Sequence, residues 1–265
     1  MAQVEYEVHL PGVRLAYLKD GRAEGQSSCG FFWLGGFMSD MTGSKAQALG
    51  EVAHASRRSA VRFDYSGHGQ SAGAFTEGTI SAWLEQATHM FLRHGTGKRI
   101  LVGSSMGGWL ALLLARKLML EDQTAFGRIA GVVLIAPAVD MTRALIWDRF
   151  TPAQQRELMD RGHIDLPSHH GAAYPITRDL IEDGERHLLL GAPLGLPFPV
   201  RILQGTEDAE VPVAHAEKVL AMIAGDDVTL TLVKGGDHRL SKLGQLRVIT
   251  ETTLRLAERA DGIDY

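Results

Sequence analysis

The sequence predicts an α/β protein. Its expected core is a mostly parallel eight-stranded sheet, opened by an antiparallel N-terminal hairpin, with helices on both faces and a small inserted cap. Three observations carry that expectation. Continuous apolar runs of strand length recur at residues 30–34, 100–102 and 131–136, as in strands buried on both faces. They alternate with longer stretches of helical periodicity, which makes the strands parallel and obliges helices to cover both sides of the sheet. The alternation stops between Asp140 and Pro199, a stretch holding Pro152, Pro167, Pro175, Pro193 and Pro197, and then resumes.

Taken in order, residues 3–9 and 13–18 alternate apolar and polar around Pro11-Gly12, the signature of a hairpin. The buried run at 30–34 ends in Gly35-Gly36-Phe37, and a helix over 44–57 follows with Ala46, Leu49, Val52 and Ala53 on one side. A short strand at 60–64 leads into the turn Ser66-Gly67-His68-Gly69, then a helix over 79–93 and a strand ending at Gly103. After the strand at 131–136, residues 141–199 read as a cap over the carboxyl ends of the strands. The cap has a helical patch at 152–161 and no strand-like run. A strand at 200–203, a helix at 213–223, a strand at 228–233 and an amphipathic helix at 240–259 complete the chain. Residues 1–265 thus read as one domain carrying an insertion, with no internal repeat.

Composition narrows the function classes. Hydrophobic residues at 45% and charged residues at 22% are ordinary for a soluble globular chain, and the net charge of −4 gives no basic excess for nucleic acid or an anionic membrane. The apolar run 109–115 stops at Arg116 and the run 131–139 at Asp140, too short for a membrane span, so no stable membrane insertion is expected. A single cysteine, Cys29, allows no intramolecular disulfide and reads as a packed residue entering a strand. The alternating, acidic N-terminus is unlike a signal or transit peptide, so a cytoplasmic location is the expectation.

The chemistry concentrates at Gly103-Ser104-Ser105-Met106-Gly107, between an apolar strand and an apolar helix. That is the context of a G-x-S-x-G nucleophile elbow. A serine at so sharp a turn takes a strained backbone, and its neighbours two residues away on each side must leave room. Glycines merely ending a strand are the plainer alternative, but spacing and context both favour the elbow. The glycine pair centres on Ser105, not on Ser104.

A serine needs a base and an acid to orient that base, in the chain order serine, acid, histidine for this arrangement. His238, in Gly235-Gly236-Asp237-His238, is alone among the 11 histidines in following the last predicted strand. Asp208, in Gly205-Thr206-Glu207-Asp208, is the expected acid; Asp140 is the alternative, while Glu207 and Asp237 are neighbours expected to point elsewhere. The backbone N–H groups of Met106 and Phe37 are the expected oxyanion donors, each worth about 10²–10³ in turnover. Met38, Trp109, Trp147 and Phe150 are the candidates to line the acyl side.

Competing motifs are weaker. Gly67-His68-Gly69 lacks the third glycine of a dinucleotide loop, and His163, His169 and His170 have no companion acid or cysteine at metal-ligand spacing. No metal and no cofactor are expected.

The assembled pattern resembles the α/β-hydrolase superfamily along almost the whole chain. It is similar more narrowly to the branch of mitochondrial mycophenolic acid acyl-glucuronide esterases, also known as palmitoyl-protein thioesterases. The matching segments run from Gly36 through Met38 to Ala46, from Arg62 to Gly67 and from Gly103 to Trp109; Leu166-Pro167-Ser168 and Asp237-His238-Arg239 are also similar. The resemblance implies an α/β-hydrolase fold, a triad of Ser105, Asp208 and His238, and hydrolysis of carboxylic esters or acyl thioesters. The substrate would be a small ester or thioester, or an acylated protein. Two other readings stay open: the same triad serving perhydrolysis or carbon–carbon bond cleavage, and a hydrolase scaffold that only binds.

Overall fold

The computed structural model describes residues 3–10, 12–21, 28–168 and 171–263. Its strands are β1 (Glu5–Leu10), β2 (Val13–Gly21), β3 (Gly30–Leu34), β4 (Ser59–Phe63), β5 (Arg99–Ser104), β6 (Ile129–Ile135), β7 (His163–Ser168), β8 (Gly171–Thr177), β9 (Leu194–Gly195), β10 (Val200–Gly205), β11 (Ile223–Ala224) and β12 (Val228–Val233). Its helices are α1 (Ser44–Ala55), α2 (Ile80–His94), α3 (Met106–Glu121), α4 (Gln123–Phe126), α5 (Pro152–Arg161), α6 (Arg178–Gly184), α7 (Val213–Met222) and α8 (Leu243–Ala260).

Eight strands form one sheet in the order β1-β2-β4-β3-β5-β6-β10-β12. The β1–β2 and β2–β4 pairs are antiparallel, and every pair from β4 to β12 is parallel. This is the α/β-hydrolase arrangement expected from the sequence. In the hairpin turn, Pro11 lies outside the described residues.

The period of two along each central strand sorts the core into two layers. Phe32, Leu34, Leu101, Val132, Leu134 and Ile202 face the layer containing α2, α3 and α7. Phe31, Trp33, Ile100, Val102, Val133, Ile135 and Leu203 face the layer of α1 and α8. The first ten residues of α3, Met106 to Ala115, are all buried, which explains why that helix is apolar all round instead of on one stripe.

The segment between β6 and β10 corrects one expectation, because it does contain strands. β7 and β8 pair antiparallel, with Ile164 opposite Ile176 and Leu166 opposite Tyr174, and β9 pairs with β11. Alternation was masked by Pro167 and Pro175. Prolines are tolerated because this two-stranded ribbon leaves outer edges that require no N–H donors. Ile164 and Ile176 are buried.

The chain leaves β6 through Asp140, which takes a left-handed conformation (φ 54°). The Asp140 carboxylate accepts the N–H groups of Leu189 and Leu190 at 2.8 and 2.9 Å. The departing and returning strands of the insertion are therefore stapled together at the sheet edge.

Candidate active site

The parallel strands β4, β3, β5, β6, β10 and β12 all end at the same edge of the sheet, so the loops after them converge. Ser105 stands between β5 and α3 at φ 55° and ψ −120°, a strained conformation costing about 1–3 kcal/mol. The glycines around it are sterically required. A Cβ at Gly103 would sit 2.3 Å from the Gly107 carbonyl oxygen, and one at Gly107 would sit 2.0 Å from that of Leu34. The turn is pinned by the Ser105 N–H, which donates to Ile135 O at 2.9 Å, and by the Ser105 carbonyl, which accepts from Ala138 at 3.1 Å. Ser104 is buried.

The loops after β10 and β12 bring two further side chains to this serine. Ser105 Oγ–H donates to His238 Nε2 at 3.0 Å, and His238 Nδ1–H donates to Asp208 Oδ2 at 2.9 Å. A carboxylate on Nδ1 fixes the proton there, leaving the Nε2 lone pair toward the hydroxyl. Asp208 is itself immobilised. Its Oδ1 accepts from the N–H groups of Glu210 and Val211 at 3.0 and 2.8 Å, and its Oδ2 also accepts from Gln204 Nε2 at 2.9 Å. Burial pushes the Asp208 carboxyl up, but the bonds from His238, Val211 and Gln204 outweigh it and hold the group below its ordinary value.

The neighbouring carboxylates are occupied elsewhere. Glu207 is exposed, Asp237 accepts the Leu240 N–H at 3.0 Å, and Asp140 holds the insertion, as described above. Asp140, weighed against Asp208 as the acid, therefore has a structural task.

The loop after β3 lies directly over the serine. A Cβ at Gly36 would be 3.3 Å from Ser105 Cβ, so the loop that carries the Phe37 amide passes against the nucleophile. Met106 opens α3, so its N–H is among the first four helical amides and has no acceptor within the helix. These are the two donors expected from the sequence.

Met38 takes a left-handed conformation (φ 58°), and what holds it was missed by sequence reasoning. The Met38 N–H donates to His68 Nε2 at 3.2 Å, while His68 Nδ1–H donates to Ser66 O at 3.1 Å. His68 is buried among Tyr65, Phe75 and Trp83, and burial holds its pKa below the ordinary value, so Nε2 stays an acceptor. The signal was Gly67-His68-Gly69, dismissed as a nucleotide motif when its histidine in fact braces a loop.

The four candidate acyl-side residues separate. Met38 is 52% exposed, on the loop after β3. Trp147 and Phe150 are half-buried in the cap. Trp109 corrects the expectation: it is fully buried, and its indole N–H donates to His187 O at 3.2 Å, so it supports the cap from below. The Trp109 side chain is enclosed between the elbow helix and the cap. Tyr174 of β8 was not foreseen; its ring lies 5.9 Å from that of Phe37.

A second serine–histidine–aspartate group lies between α2 and the cap. Ser81 Oγ–H donates to Asp183 Oδ1 and Ser81 N–H to Asp183 Oδ2, both at 2.7 Å. His187 Nε2–H donates to Ser81 Oγ at 2.7 Å, and Arg186 pairs with Asp183. Among the described residues, no group of three or more His, Cys, Asp or Glu side chains is placed to hold a metal ion. His169 and His170 lie outside the described residues. Among those residues, too, no helix is long and apolar enough to cross a membrane.

A model of the "Alpha/beta hydrolase family" matches residues 27–243. Palmitoyl-protein thioesterase ABHD10, mitochondrial, of Bos taurus is 30% identical over 246 residues, covering 91% of this chain and 77% of that protein. A crystal structure of a protein from Agrobacterium vitis S4 superposes with a TM-score of 0.91 at 38% identity, covering 97% of this chain and 99% of the other. The alpha/beta hydrolase domain-containing protein 10 from mouse gives a TM-score of 0.84 at 29% identity, with the same coverage of the two chains.

Proposed function

The chain belongs to the alpha/beta hydrolase family, and on that premise we propose that it is a serine hydrolase cleaving carboxylic esters or acyl thioesters through an acyl-enzyme. One observation carries the reading: the hydrogen-bonded chain from Ser105 through His238 to Asp208, with the serine held in a strained turn. Ser105 Oγ attacks the acyl carbonyl while His238 Nε2 takes its proton, and Asp208 stabilises the imidazolium that results. The N–H groups of Phe37 and Met106 receive the developing oxyanion at the positive end of α3.

Nε2 then returns the proton to the leaving oxygen or sulfur, and a water attacks the acyl-enzyme by the same route. A thiolate leaves with less need of that proton than an alkoxide, so a thioester turns over at least as readily as an oxyester. This chemistry requires no cofactor. The acyl group lies along Met38 and the cap residues Trp147, Phe150 and Tyr174, an amphipathic wall suited to an aliphatic chain. The thioesterase name of the relatives at about 30% identity supports an acyl thioester, small or carried on a protein, as the substrate class.

The test is an acyl-chain-length series of thioesters and oxyesters on wild type and Ser105→Ala, alongside fluorophosphonate labelling. The reading requires activity and labelling in wild type and their loss in the variant. A folded Ser105→Ala that still turned over would refute it.

A further inference from the structure

Glu210 lies two residues beyond Asp208, and its main chain is fixed from both sides. Its N–H donates to Asp208 Oδ1 at 3.0 Å, and its carbonyl accepts from Arg149 Nη1 of the cap at 3.0 Å. The side chain is thereby delivered to the mouth of the site. Glu210 Oε2 is 3.6 Å from His238 Nε2, and the side chain is 46% exposed. Among the described residues, His238 is the one basic side chain within 4 Å of this carboxylate, and the two pair as ions when the imidazole takes up the serine proton. Two other cations are in the neighbourhood. Arg149 binds the Glu210 backbone, while Lys45 Nζ donates to Arg239 O at 2.5 Å.

We infer that Glu210 sets the charge of the leaving group that the site accepts. The inference rests on the hydrolase reading above. Nε2 must come within about 3 Å of the departing heteroatom to protonate it. The departing atom itself therefore lies within roughly 7 Å of the Glu210 carboxylate, with the groups attached to it just beyond. At that separation one unit charge changes the rate constant by about 3-fold in the dielectric of water and by up to about 50-fold in that of a protein surface. The site thus favours acyl groups carried on neutral or cationic leaving groups, such as a cysteine flanked by basic residues. It disfavours carriers with phosphate or carboxylate groups next to the reacting atom. The attraction is partly exposed and weakens with salt.

Three N-acetylated tripeptide amides test this, each with S-octanoyl cysteine flanked by two Arg, two Gln or two Glu residues. Values of kcat/KM are measured for wild type, Glu210→Gln and Glu210→Lys at low and high sodium chloride. The expected result is a wild-type preference for the Arg peptide over the Glu peptide, which differ by four unit charges, that shrinks at least tenfold in Glu210→Gln and further in Glu210→Lys. High salt should narrow the same preference in wild type, a measurement that needs no variant. Glu210 also touches the catalytic imidazole, but that influence scales all three peptides together. A common factor across the three, with the preference unchanged, would therefore overturn the inference and leave the hydrolase reading standing. Wild-type protein that cleaves none of them and takes no fluorophosphonate at Ser105 would overturn both.

Discussion

Two groups of serine, histidine and aspartate stand out among the described residues, and one of the two is wired for nucleophilic chemistry. At Ser105 the carboxylate binds the imidazole and the imidazole faces the hydroxyl. At Ser81 the carboxylate itself accepts the hydrogen bond of the hydroxyl, and the imidazole is left to donate to the serine oxygen. The backbones differ as well. Ser105 is held at φ 55°, whereas Ser81 lies in the first turn of an ordinary helix with its N–H capped by Asp183. A groove of about 820 Å³ runs past Ser81 and Asp183 and is bordered by Glu77, Glu85 and Glu182. Its acids would repel the oxyanion that acyl transfer develops. Residue types and a nearby cavity therefore do not make a nucleophile; the order of hydrogen bonds does. The second group is a clasp between α2 and the cap.

The largest effect should come from exchanging the two serines for alanine. Ser105→Ala is expected to lower kcat by about 10⁴ to 10⁶ with the fold retained. Ser81→Ala should leave kcat within about twofold and lower Tm, because the sites are independent. Equal losses in ester turnover would erase the distinction. The aspartates come next. Asp208→Asn should cost about 10⁴ in kcat by removing the acceptor that fixes the His238 tautomer. Asp183→Asn should instead destabilise the protein by about 1.5–3 kcal/mol, read by denaturant unfolding, since it weakens buried bonds to Ser81 and Arg186.

A third comparison sharpens what surrounds the working serine. His68→Phe leaves the Met38 N–H without its acceptor and frees the loop that carries Phe37. It should lower kcat by about 10- to 100-fold with KM little changed, consistent with a misplaced oxyanion donor. A change confined to KM would assign His68 to substrate binding instead.

The smallest effect is in the acid limb of stability. Burial holds His187 below its ordinary value, so the unfolded chain binds this proton first as pH falls. Its contribution is whole above the unfolded value of 6.5 and is lost as the pH drops through the folded one. His187→Gln, which keeps a donor for Ser81, should give a shallower fall of Tm between pH 7 and 5. An unchanged slope would mean that His187 does not titrate in the clasp.

Sequence reading succeeded where the signal was local. β3, β5 and β6 are runs buried on both sides, and β12 was placed at its observed bounds. The elbow was legible because Gly103 and Gly107 answer a steric demand that chain spacing alone reveals. His238 could be singled out because its place after the final strand is a property of chain order.

What stayed hidden depends on distant partners. Ser81 and Asp183 are 102 residues apart, and the Met38–His68 bond links separate loops. Trp109 misled because its neighbours in sequence form the serine elbow while its neighbours in space are the underside of the cap. The β7–β8 ribbon escaped because prolines interrupt a short alternating pattern.

The Asp140 staple makes the insertion a cassette. Since Leu189 and Leu190 return to the carboxylate at which the excursion begins, the length of chain between these anchors is independent of strand spacing in the frame. Doubling such a loop adds only about 0.6 kcal/mol of closure entropy. A shorter or longer lid can thus be grafted onto the same nucleophile, letting one scaffold serve acyl chains of different girth without its machinery being rebuilt.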